Sequence, residues 1–218
     1  MESQLGGVVL HGEPGMAVVD SNAQDSGSPV ISFEEAQAAV RVLLQYAGDN
    51  PGREGLVDTP ERVAKAFSEW FCGYKEDPRI HLERTFADSA GYDEIILLRN
   101  IRFESHCEHH MVPIVGVAHI GYLPSDRVVG ISKLARVVHG YSKRLQIQEK
   151  LTAQIAAAIQ GSLSPRGVAV MVDAEHLCMT TRGVQQQGVT MGTSALRGVF
   201  RDDASAREEV FSLLQGQK

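Results

Sequence analysis

Ser105-His106-Cys107-Glu108-His109-His110 sets three imidazoles, a thiol and a carboxylate within six residues. Cys107 and His110 have the C-x-x-H spacing with which a turn brings sulfur and imidazole to one tetrahedral cation. Taken alone, such a pair is also what a buried thiol beside a surface histidine gives. A second cluster, His176-Leu177-Cys178, follows a predicted strand and could add a further ligand, with His176 and Cys178 on one face of an extended segment. Three protein ligands leave a position for water, whose pKa a bound zinc lowers to about 7, and that is the catalytic rather than the structural pattern. No fourth cysteine offers itself, because Cys72 adjoins the apolar pair Trp70-Phe71 and reads as a core residue.

Two further groupings lie near these clusters in sequence. Arg127 to Lys150 carries Arg127, Lys133, Arg136, Lys143, Arg144 and Lys150 against Glu149 alone, a net of +5 in a chain whose overall balance is 21 minus 27, or −6. Ser132 stands where a helix should start, so its hydroxyl, the first-turn amides, Lys133 and Arg136 would converge on one volume suited to phosphate. A simple N-cap with a solvated basic face explains the same spacing. Arg182, four residues beyond Cys178, could bring another guanidinium close to the cation. Gln148 and Glu149 open a later helix, where a carboxylate can accept paired donors such as the ring N–H and amino group of guanine, or form an ordinary helical ion pair.

The elements that must hold these groups are legible in outline. Met1 to Val30 carries four acids and no base among Gly, Ser and Pro, and reads as a flexible arm. Ser32 with Glu35 makes a capping box ahead of Phe33, Ala36, Val40, Leu43 and Leu44, a helix to about Ala47. Thr59-Pro60 starts a second helix, with Val63, Phe67, Trp70 and Phe71 as its buried stripe. Ile95 to Glu104 and Val112 to Tyr122 have the character of strands, and Ser132 to Tyr141 and Gln148 to Ser162 that of helices. Val168 to Ala174 and Thr193 to Phe200 complete four strands. A last helix over Asp202 to Leu214 is capped by Ser205 and Glu208. This order favours an α+β fold: a four-stranded antiparallel sheet with helices packed on one face, preceded by a helical region. The division expected is 1–30 arm, 31–90 helical region and 91–218 catalytic domain. A long apolar strand such as Val112 to Tyr122, if it lay at an edge, would favour association through sheet edges.

Composition narrows the classes. Of 218 residues, 43% are apolar and 22% charged, which excludes collagen-like, fully disordered and disulfide-scaffold proteins. The longest apolar run, Val112 to Ala118, falls far short of the roughly 18 residues that cross a bilayer, so no membrane partner is expected. The acidic balance argues against a nucleic-acid partner. The first thirty residues lack the basic start of a secretory signal, and a cytoplasmic location is expected.

Four separated segments, Phe103 to Pro113, Gly130 to Arg136, Arg144 to Glu149 and His176 to Val184, resemble the GTP cyclohydrolase I family in order and spacing, and the likeness extends from about Phe33 to Leu214. The resemblance implies a tunnelling fold (T-fold), sheets of five subunits closing into an oligomeric barrel, and two pentamers stacking into a homodecamer. It implies conversion of GTP and water to 7,8-dihydroneopterin triphosphate and formate, the entry to folate and pterins. Matched residue by residue, Cys107, His110 and Cys178 fall on the zinc ligands and His109 and His176 on the acid/base histidines. Ser132, Lys133, Arg136 and Arg182 fall on triphosphate contacts, Arg62 on one supplied to a neighbouring subunit, and Gln148 and Glu149 on the guanine pocket. The chain departs from the family pattern at Gln185-Gln186-Gln187, at Met191-Gly192 and at His139-Gly140. Alternatives from other classes are a zinc deaminase, disfavoured by the missing P-C-x-x-C, a nitrile reductase of related fold, and a non-catalytic zinc-stabilised assembly module.

Overall fold

The computed structural model describes residues 31–87 and 91–216, so the expected arm over 1–30 lies outside the described residues. α1 (Phe33–Tyr46) begins where the capping box placed it, with Glu35 N–H donating to Ser32 Oγ and Ser32 N–H to the Glu35 carboxylate. α2 (Thr59–Trp70) follows with Pro60 in its first turn. Two short 3₁₀ turns, Cys72–Lys75 and Pro78–Leu82, lead to β1 (Thr85–Phe86). Then come β2 (Ile96–Cys107), β3 (Pro113–Leu123), β4 (Val128–Val129), α3 (Ile131–Ser142), β5 (Leu145–Gln146) and α4 (Gln148–Leu163). The chain closes with β6 (Gly167–His176), α5 (Leu177–Thr180), β7 (Thr190–Gly198), α6 (Val199–Asp202) and α7 (Ala204–Gln215).

The fold is α+β. The four expected strands form antiparallel ladders in the order β2-β3-β6-β7, but the sheet has five strands and is mixed, because β5 adds in parallel beside the end of β2. β3 is central rather than an edge; the edges are β7 and most of β2, since β5 covers only His106 and Cys107. Alternation sends Ile114, Ala118, Ile120 and Tyr122 of β3 into the main core against Leu134, Val137 and Val138 of α3 and Leu151, Ile155 and Ile159 of α4. Each such fully buried aliphatic side chain contributes about 1.5–3 kcal/mol. Helices do not occupy one face only. Gly121 points the other way, toward Val210 and Leu214, so α7 covers part of the opposite face with Phe200 and Ala169.

Residues on both sides of the expected boundary at 90 share the main core: Leu82 is fully buried in it, and Thr85 pairs with Val129. Arg144 makes the tightest tie. Its Nε donates to Gly73 O at 2.9 Å and its Nη2 to Glu76 O at 3.2 Å, with the guanidinium 5.1 Å from the Tyr141 ring. Only glycine fits at 73, where a Cβ would lie 2.2 Å from Gly140 O. Arg144 is therefore a buried strut and no part of an exposed basic face, and Lys143 pairs with Glu104 at 3.1 Å.

Two caps and two apolar stripes differ from expectation. α3 is capped at Gly130, leaving Ser132 inside the first turn, because the chain enters from β4 one residue earlier. α7 is capped by Asp203, whose carboxylate accepts from Ala206 N–H, a stronger acceptor than the Ser205 hydroxyl. α1 buries none of its residues, and Phe67 and Trp70 of α2 remain 37% and 39% exposed. The two helices pack on each other, and α2 meets the sheet through Trp70, whose ring lies 5.0 Å from that of His106 on β2.

Candidate metal centre

The hairpin from β2 to β3 and the end of β6 meet by register. Ile114, just beyond the hairpin turn, pairs with His176, so the residues after His176 must lie against the turn that holds Cys107 and His110. The turn is closed by Cys107 N–H to Val112 O at 2.9 Å and Met111 N–H to Cys107 O at 2.7 Å, with Met111 in the left-handed region. Glu108 N–H donates to Gln146 O at 3.0 Å, tying it to β5 as well. His176 and Cys178 do not share an extended face as expected. The strand ends at His176 and Cys178 sits in the single turn of α5, held by Thr181 Oγ1 to Leu177 O at 2.7 Å and Thr180 Oγ1 to Glu175 Oε1 at 3.0 Å. That turn folds the thiol back toward the hairpin.

Cys107, His110 and Cys178 consequently offer three ligand atoms within 4.8 Å of one another, a spacing that one cation could bridge. His110 Nδ1 lies 3.8 Å from Cys107 Sγ, and Arg182 Nη1 donates to His110 Nε2 at 3.3 Å. Two thiols and an imidazole form a soft donor set of the kind that zinc sites use. Burial pushes the Cys178 thiol up, and its hydrogen bond with Cys107 adds to this. A cation at the shared point reverses that preference, because the thiolate is the ligand form.

Around this group the remaining residues fall into shells. His109 is exposed on the turn with Nδ1 3.6 Å from Cys107 Sγ. His176 is half-buried; desolvation holds its imidazole below the usual range, opposed by the Glu149 carboxylate. Its Nε2 is 2.8 Å from Gln148 Oε1. Glu149 is exposed beside Gln148 in the first turn of α4, which the short β5 delivers next to Cys107. Ser132 and Arg136 are exposed on the first turns of α3, with Lys133 half-buried between them. Arg62 is exposed on α2 and paired with Asp58 at 3.0 Å.

Sequence reasoning passed over three residues. His106 is 4% exposed and packs between Trp70, at 5.0 Å between ring centres, and Phe71, at 5.1 Å. It anchors α2 directly behind Cys107. Thr152 and Thr193 hydrogen-bond around Gln148, and the spacing of Thr152 four residues after Gln148 on a helix was the available signal.

A mixed sheet whose hairpin turn and the helical turn after β6 bring two thiols and an imidazole together defines an α+β protein with a site that could hold a metal ion. A family model described as GTP cyclohydrolase I matches residues 36–215. Over 184 residues the chain is 57% identical to "GTP cyclohydrolase 1" of Maricaulis maris (strain MCS10), covering 84% of this chain and 90% of that protein. It is 57% identical over 182 residues to the protein of the same name from Hyphomonas neptunium (strain ATCC 15444), covering 84% and 88%. A crystal structure of an archaeosine synthase QueF-Like in the apo form superposes with a TM-score of 0.41 at 21% identity, over 48% of this chain and 93% of that one. The chain belongs to the GTP cyclohydrolase I family.

Proposed function

We propose that this enzyme, of the GTP cyclohydrolase 1 type, uses zinc held by Cys107, His110 and Cys178 to open the imidazole ring of GTP, with release of formate and rearrangement to 7,8-dihydroneopterin triphosphate. The observation that carries the reading is the approach of those three donors to within 4.8 Å of one another, beside His109 and His176. When bound, the cation supplies Lewis acidity and lowers the pKa of water at its open position.

The protein's own groups then divide the work. His109 lies on the turn that carries Cys107 and His110, and His176 stands two residues before Cys178, so one can take a proton while the other delivers one to a ring nitrogen as its bond to carbon breaks. Glu149, exposed at the start of α4, accepts from the ring N–H and amino group of guanine. Gln148 has its carboxamide committed to protein partners, which leaves the guanine contact to Glu149. Ser132, Lys133 and Arg136 on α3, with Arg182 beside His110, bind the triphosphate. Arg62 serves the same end from a neighbouring subunit.

Assembly as a T-fold barrel, in a decamer of two stacked pentamers, is supported by two kinds of unpaired surface. β7 and the Ile96 to Ser105 stretch of β2 each have one side without a strand partner among the described residues, and edge pairing between copies would close a barrel. α1 exposes Val42 and Leu43, which a second copy would cover. Free thiol ligands suit the reducing cytoplasm; among the described residues no helix is long and apolar enough to cross a membrane. Purified protein incubated with GTP should release formate and a pterin fluorophore, and a zinc chelator should stop both. Intact GTP after incubation with zinc-loaded protein would overturn the reading.

A further inference from the structure

Gln148 is 1% exposed in the first turn of α4, with each polar atom of its carboxamide engaged. Nε2 lies 3.0 Å from Val172 O, 2.7 Å from Met191 O and 3.1 Å from Thr193 Oγ1, and Oε1 lies 2.8 Å from His176 Nε2. The directions of the two hydroxyl hydrogens in this cluster follow from one commitment. Thr152 Oγ1 donates its only hydrogen to the main-chain carbonyl of Gln148 at 2.7 Å. In its 2.7 Å contact with Thr193 Oγ1, therefore, the hydrogen comes from Thr193. Thr193 Oγ1 is then left to accept, from a Gln148 Nε2 that shares its two hydrogens among this oxygen and the two carbonyls. Turning the carboxamide over would set its oxygen against two carbonyls and a hydroxyl with no hydrogen to give. Oε1 is thus fixed toward His176, and His176 Nε2 must carry a hydrogen to meet it.

We infer that Gln148 is a positioning residue for His176: the buried Gln148–Thr193–Thr152 ring holds the imidazole as its Nε2–H tautomer, leaving Nδ1 as the nitrogen free to exchange a proton. The inference rests on the acid/base reading of His176 given above. It differs from a guanine contact by Gln148, because the amide's hydrogens face protein acceptors and its oxygen is turned toward His176. The bond from Nε2–H to Oε1 persists whether or not Nδ1 is protonated, so the ring keeps its orientation through a proton-transfer cycle. A histidine whose second nitrogen is held in this way is pre-set in tautomer and angle.

The two roles separate in steady-state kinetics of the full-length, zinc-loaded enzyme with GTP. Gln148→Met keeps the side-chain volume and removes all polar atoms; it should lower kcat roughly 10–100-fold with KM for GTP little changed. Thr193→Val, which removes one of the three acceptors facing the amide, should lower kcat by a smaller factor with KM again little changed. In ¹⁵N-histidine spectra of the full-length protein, His176 should show a protonated Nε2 and a bare Nδ1, and lose that preference in Gln148→Met. A raised KM with kcat retained in Gln148→Met would overturn the inference in favour of a guanine contact. Should Gln148→Met fail to fold, a wild-type His176 carrying its hydrogen on Nδ1, or unchanged kcat in Thr193→Val, would overturn it equally. Normal turnover in His176→Ala is a different pattern: it would sink the acid/base reading and the inference with it, whereas loss of turnover there with a KM effect at Gln148 sinks the inference alone.

Discussion

The hairpin end of the sheet and the α1–α2 pair are built on opposite terms. At the hairpin end, Cys107 is 4% exposed, its backbone is tied to Val112, and its neighbours arrive from β5, α4 and α5 through strand register. Nothing local to residues 105–110 brings Cys178 there; the β3–β6 ladder does. In α1 the reverse holds. Its start is fixed entirely by Ser32 and Glu35, yet none of its residues is buried and Leu43 is 64% exposed. A lone helix of this length is marginal in water, so local signals define its ends while its stability depends on α2 and on whatever covers its apolar side. Distant pairing makes a rigid site, and local capping makes an element waiting for a surface.

Breaking the site should have the largest effect. Cys178→Ser should remove bound zinc and formate release together, as read by metal analysis and the formate assay, while the sheet still folds, because Cys178 lies on α5 at the margin of the core. Stoichiometric zinc in that variant would disprove the ligand set. Next comes the uncovered helix. Leu43→Glu in α1 should leave the subunit folded but split the assembly, seen as a lower mass by light scattering; an unchanged mass would mean that a second copy does not cover this face.

A third change tests the join between the two regions. His106→Ala removes the ring held between Trp70 and Phe71 and should cost about 2–3 kcal/mol in denaturant unfolding. His106 also carries an acid-sensitive contribution. Desolvation, with Lys143 adding to it, holds its imidazole below the ordinary 6.5. A depressed histidine stays neutral in the folded state, so its contribution is present above 6.5 and is lost as pH falls toward the folded value, where the unfolded chain binds the proton more readily. His106→Phe should keep the packing and flatten that part of the acid limb, a result that denaturation midpoints across pH 5–8 would show or refute.

The sequence made the donors visible because metal chemistry needs particular atoms at particular spacings, and Cys107, His110 and Cys178 carry that signal without reference to fold. Helix starts at Ser32 and Thr59 were equally plain, since caps act over three or four residues. What stayed hidden depends on partners far along the chain. β5 is two residues with no periodicity of its own and exists because Leu145 and Gln146 lie beside His106 and Cys107. Arg144 counted toward a basic stretch, but Gly73 and Glu76, some seventy positions earlier, make it a strut. Gln148 matched a substrate contact by motif, while the acceptors that occupy its amide come from β6 and β7.

The smallest effect sharpens the contrast from the side of the local signal. Ser32→Ala removes the hydroxyl that accepts from Glu35 N–H and should destabilise the start of α1 by about 1 kcal/mol. The loss should register as faster hydrogen exchange of the Glu35 and Ala36 amides with the sheet unaffected, because α1 packs on α2 and not on the strands. The Glu35 carboxyl is held below its ordinary 4.5 by the Ser32 backbone N–H and then by the Ser32 hydroxyl. Its contribution is therefore present above about pH 4.5 and is lost as pH falls through the folded value. Exchange at the start of α1 should accelerate on acidification in the wild type, beyond the intrinsic pH dependence, and less so in Glu35→Gln. Identical acid profiles for those two chains would mean that the carboxylate half of the capping box does not hold the helix end.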